Sequence, residues 1–121
     1  MKARIALSAL LISATAGCSD FGSPVPTGNP PWLDQLILKF ESAPIGNPPR
    51  AIWKYHFHGQ TVYYTPPQCC DQFSVLYDST GAVLCAPDGG FTGAGDGRCP
   101  DFFQKRTDET LVWMDPRHMI R

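Results

Sequence analysis

Four cysteines, Cys69, Cys70, Cys85 and Cys99, constrain this chain more than any other feature. In an oxidising compartment an even set in a small domain implies two disulfides. A zinc site is the alternative, but the spacing is wrong for a zinc ribbon. The choice rests on where the chain resides, and its first residues speak to that.

Met1 to Arg4 form a short basic segment, Ile5 to Ile12 an apolar run relieved only by Ser8, and Ser13 to Gly17 a run of small residues. Together, residues 1–17 have the anatomy of a secretory signal peptide, too short to remain as a membrane span. Thr15-Ala16-Gly17-Cys18 has the form of a bacterial lipobox, with Thr where Leu is usual. Cys18 is therefore the expected site of lipidation, and its acyl chains, palmitate among them, are the expected membrane anchor. The next residue is Ser19 and not Asp. By resemblance to lipoprotein sorting signals this implies the outer membrane of a diderm host, facing the periplasm. Residues 18–29 carry Gly, Pro and Ser without apolar periodicity, so they read as a flexible tether reaching about 18 Å.

Cleavage after residue 17 of the 121 leaves 104 residues, enough for one small domain over 30–121. Loss of Lys2 and Arg4 leaves 8 basic against 11 acidic residues, a net charge of −3. A mildly acidic surface argues against nucleic acid as a partner, because that needs clustered Lys and Arg. A hydrophobic content of 43% excludes a wholly disordered chain. No second apolar run is long enough to span a bilayer.

Pro30-Pro31 opens a helix, where a missing N–H has no cost, and Asp34 complements the helix dipole. Trp32, Leu36 and Phe40 recur at helical spacing with Leu33 and Ile37 beside them, and Pro44 and Gly46-Asn47-Pro48-Pro49 stop the run. Ala51 to His58 alternates, with Trp53, Tyr55 and Phe57 on one face and Ile52, Lys54, His56 and His58 on the other, as in a half-buried strand. Further strands are expected at Thr61–Thr65, Phe73–Tyr77, Ala82–Cys85 and Thr110–Met114, with a helical turn over 100–105 and a frayed end over 117–121. The fold class is α+β: one N-terminal helix packed on a four- to five-stranded antiparallel sheet with two disulfides.

Adjacent cysteines rarely bond each other, since their Cα atoms lie 3.8 Å apart, about 0.6 Å short of the usual range. Cys69 and Cys70 are therefore each expected to find Cys85 or Cys99. The hairpin register sets Cys85 opposite Ser74, which favours neither pairing. Between Cys85 and Cys99 lie Gly89, Gly90, Gly93, Gly95 and Gly97, a segment that neither helix nor strand accommodates without cost. Three readings stand for it: a structural turn, a recognition loop, or a calcium site using Asp88, Asp96 and Asp101. It lacks the ligand ladder of an EF-hand and the Gly-Lys-Ser/Thr ending of a phosphate-binding loop.

The Pro-Pro-Trp-Leu-Asp run, Gly59-Gln60-Thr61-Val62-Tyr63-Tyr64, Cys69-Cys70-Asp71, Leu76-Tyr77-Asp78 and the Gly-rich span from Cys85 through Cys99-Pro100-Asp101-Phe102 form a distinctive set. Over residues 30 to about 113 the chain resembles a family of uncharacterised bacterial lipoprotein domains. The resemblance implies an exported single domain and carries no catalytic residues.

Tests for chemistry return little. His56 and His58 form a His-x-His pair without an evident third ligand, and His118 lies in the tail. Ser42, Ser74 and Ser79 lack a nucleophile-elbow context, and no free thiol remains for a cysteine nucleophile. The expectation is a protein that is not an enzyme and needs no cofactor. It is a tethered envelope module that binds or inhibits a protein partner through residues 88–98, with Asp88, Phe91, Asp96 and Arg98 as the binding candidates. A structural envelope component without a specific ligand, or a calcium-binding domain, is the alternative.

Overall fold

The structure, a computed structural model, describes residues 28–69 and 71–119. The signal peptide, Cys18 and most of the tether lie outside the described residues. Helix α1 (Pro31–Ser42) is followed by strands β1 (Ala51–Phe57), β2 (Gln60–Thr65), β3 (Val75–Tyr77) and β4 (Val83–Cys85). The short helix α2 (Phe102–Lys105) and strand β5 (Thr107–Met114) complete the core, and a 3₁₀ turn (Pro116–Met119) ends it. The five strands form one antiparallel sheet in the order β4-β3-β2-β1-β5.

The alternation in β1 and β2 gives the sheet two apolar faces, and each has its own cover. On one, the α1 stripe packs Leu33, Trp32, Leu36, Ile37 and Phe40 over Ile52, Tyr63, Tyr77 and Trp113. The Trp32 ring meets Tyr63 edge-on at 5.2 Å, and its indole N–H donates to the Ser79 carbonyl at 2.9 Å. On the other face Tyr55, Phe57, Val62, Tyr64 and Leu76 pack with Cys85, Cys99 and the fully buried Phe102. That second cover is the returning chain from Cys85 to α2. It brings Arg106 across the Tyr55 and Phe103 rings, each 4.8 Å from its guanidinium carbon.

The expected helix, α+β class and antiparallel sheet are present, with five strands. The expected pairing of Cys69 and Cys70 with Cys85 and Cys99 is corrected. Among the described residues one disulfide forms, and it joins Cys85 to Cys99, not either of them to Cys69 or Cys70. Cys85 ends β4 on the second face, and the Gly-rich segment folds back so that the Cys99 Cα comes within 6.1 Å, inside the usual range. Cys69 is held elsewhere, its N–H donating to the Asn47 carbonyl at 2.7 Å. Cys70 lies outside the described residues.

Three local readings also change. The third strand is shorter than expected, because Phe73 leaves the ladder to bridge Gly89. Cys85 pairs with Leu76, not Ser74, through a register shift in the β3–β4 hairpin. The tail is not frayed over 117–119. Arg117 donates from Nε and Nη2 to the fully buried Asp115 carboxylate at 2.9 and 2.6 Å, while Nη1 and Nη2 donate to the Ala43 and Phe40 carbonyls at the end of α1. The side chain thus neutralises a buried acid and ties the C-terminal end of α1 to the turn after β5.

Candidate functional site

The loop over 86–98 is ordered by its own hydrogen bonds, and the glycines make those bonds possible. Gly89 (φ +82°) sits so close to the chain before β3 that a Cβ would fall 2.4 Å from the Gln72 carbonyl oxygen. Gly95 (φ +71°) leaves even less room, 2.1 Å from the Ala86 carbonyl oxygen. Only glycine fits a left-handed backbone under another backbone. With both in place, the Gly90 N–H reaches Gln72, Gly95 reaches Gly89, and Asp96 reaches Ala86, all at 3.0 Å.

Two of the acidic candidates, Asp88 and Asp96, are held in this framework. Asp88 Oδ1 accepts from the Tyr64 hydroxyl at 2.8 Å, while its backbone exchanges hydrogen bonds with buried Ser74. Burial, and then the Asp88 hydrogen bond, push the Tyr64 phenol well above its ordinary range, so it stays a donor. Asp96 accepts from the Arg98 and Ala86 N–H groups at 3.0 Å, and these bonds hold its carboxyl below the usual carboxylate range. Asp101 meets His58 at 2.7 Å and Lys105 at 3.6 Å, and the His58 bond likewise lowers its carboxyl.

Phe91 and Arg98 point the other way. The Phe91 side chain is 91% exposed, the most exposed of the large apolar residues described. Arg98 is exposed too, its guanidinium 3.9 Å from the Asp96 carboxylate. Beside them, half-exposed Phe73 lays its ring where a Gly90 Cβ would stand. Phe73 was missed in the sequence because alternation assigns it to a strand. Tyr64 as the anchor of Asp88 had no local signal either, since the contact joins residues 24 apart.

Among the described residues no group of three or more His, Cys, Asp or Glu is placed to hold a metal ion. Asp88, Asp96 and Asp101 are each engaged separately. The His-x-His pair is also divided. His56 stays on the strand, while His58 takes a left-handed conformation (φ 49°) in the β1–β2 turn, stacks on Phe57 and turns to Asp101. No described helix is long and apolar enough to cross a membrane.

A family model described as a domain of unknown function (DUF6970) matches residues 38–115, most of the chain, which therefore belongs to that family. The match covers the sheet, the Gly-rich loop and α2 and omits the Pro-Pro-Trp-Leu-Asp run. Neither the curated proteins nor the solved structures gave a match.

Proposed function

We propose that this domain is a lipid-anchored envelope protein that binds or inhibits a protein partner through residues 88–98. The observation that supports the reading is the pairing of Phe91 exposure with backbone order. A large apolar side chain left in water has no folding role, and aromatic and arginine side chains dominate binding energy at interfaces. Presenting Phe91 and Arg98 on a backbone already fixed by a disulfide and internal hydrogen bonds lowers the ordering cost of association. Asp88 and Asp96 serve this reading indirectly, by holding the loop. The anchor belongs to the same proposal, and the 1–17 segment with Thr15-Ala16-Gly17-Cys18 supports it.

The test is a crosslinking pull-down from envelope extract, with the crosslinked positions mapped by mass spectrometry. The reading predicts a partner linked within residues 88–98. A domain that captures nothing, or links only elsewhere, returns the loop to scaffolding. Intact mass of the membrane fraction tests the anchor: Cys18 without acyl chains removes it from the account.

A further inference from the structure

A second surface lies across the sheet from the loop. An open groove of about 860 Å³ runs between α1 and β5, with Ile37 and Leu38 on the helix side and Val112 and Trp113 on the strand side. Leu38 is 61% exposed, so this wall of the groove presents an apolar side chain to water. The strand wall exists because β5 carries a bulge. Trp53 pairs with Leu111 and Ile52 with Trp113, so Val112 is an extra residue, and it packs with Trp113 on the α1 side. Asp34 and Glu41 stand on the groove's helix wall, and no Lys, Arg or His is among its described lining residues.

These features select among occupants. An added strand is disfavoured, because β5, although an edge strand, is bent at Val112 and again where Asp108 turns left-handed (φ 57°). Bulges make an edge a poor template for further pairing. A second copy related by a two-fold axis sets the same acidic wall against itself, a like-charge contact. An apolar floor between a helix and a strand, with carboxylates on its wall, instead complements an amphipathic helix whose apolar stripe is flanked by cations. We infer that the α1–β5 groove docks a Lys- or Arg-flanked amphipathic helix of a partner protein, separately from the Phe91 loop.

The experiment uses the exported protein with Cys18→Ala, isotope-labelled and purified without detergent. The probe is a peptide of roughly 18 Leu and Lys residues, about five helical turns, with Leu at helical i, i+3, i+4, i+7 spacing. A peptide of the same pattern with Glu for Lys, and a scrambled Leu/Lys peptide, are the comparisons. Saturable amide shifts at Ile37, Leu38, Val112 and Trp113 are expected. Leu38→Asn should weaken binding roughly tenfold, the loss expected for one buried leucine. Glu41→Lys should weaken the Lys peptide and favour the Glu peptide. Both positions are exposed, and unchanged shifts elsewhere confirm that the variants fold. No saturable shift, shifts centred on residues 88–98, or equal affinity for the Glu or scrambled peptide would overturn the inference. Concentration-dependent shifts in the groove without any peptide would overturn it in favour of a second copy.

Discussion

The Tyr64 hydroxyl donates to Asp88 at 2.8 Å and so fastens the start of the Gly-rich loop to the middle of the sheet. Tyr64 is buried on β2, and its ring packs near Phe102 on the returning chain. One side chain therefore ties the loop at Asp88 and the cover at Phe102 to the same strand. Tyr64→Phe keeps the ring and removes the donor, leaving the Asp88 carboxylate short of a partner. Such a loss costs about 1–3 kcal/mol. Amide exchange should quicken across 88–96 in this variant, while strand amides keep their protection relative to global stability. An unchanged loop would show that Asp88 is not its anchor.

Gly95→Ala should destabilise the domain by about 1–3 kcal/mol, because the new Cβ meets the Ala86 carbonyl and the backbone is left-handed. Gly93→Ala meets no neighbouring atom and carries only the penalty of its positive φ, so it should cost less. Denaturant midpoints of the two variants check the order. Equal losses would mean that the loop moves aside freely.

Reduction of Cys85–Cys99 should lower stability by about 3 kcal/mol on the chain-entropy account of a loop of 14-residue separation. A non-reduced peptide map should contain the Cys85–Cys99 link. A Cys69–Cys85 or Cys70–Cys99 peptide would contradict the arrangement.

This pairing also marks where the sequence stopped being informative. Alternation in Ala51–Phe57 and the Trp32/Leu36/Phe40 stripe revealed the sheet and α1, because both are local periodicities. Disulfide partners, by contrast, depend on how a glycine loop returns, and no spacing encodes that. The same limit hid Asp88's bond to Tyr64 and Arg117's reach back to the Phe40 and Ala43 carbonyls. Phe91 and Arg98 were legible as binding candidates by residue type, but the inward turn of Asp88 and Asp96 was not. His58 broke the pattern because the two-residue turn at His58-Gly59 needs left-handed backbone, which ends the strand's alternation.

Acid should unfold the domain below the ordinary carboxylate range. Asp78, Asp96, Asp101 and Asp115 all have carboxyls lowered in the folded state: by Thr80, by the Arg98 N–H, by His58 and by Arg117, respectively. A lowered folded value means that the unfolded chain takes up protons first, so this stabilisation is complete above about pH 4 to 5 and disappears as pH falls further. Melting temperature should be nearly flat from pH 7 to about pH 5 as far as these carboxyls are concerned, then drop. Asp115→Asn should lower the plateau and make the acid fall shallower. A variant with the wild-type acid profile would remove Asp115 from the set.

The most direct test of the binding account measures capture and melting temperature on the same preparations of wild type, Phe91→Ala and Arg98→Ala. Surface substitutions without a folding role usually change stability by less than about 0.5 kcal/mol. With Phe91 at 91% exposure, the account predicts an unchanged melting temperature and lost partner capture for Phe91→Ala, and weakened capture for Arg98→Ala. A Phe91→Ala protein that melts several degrees lower, or that captures its partner as well as wild type, would contradict it.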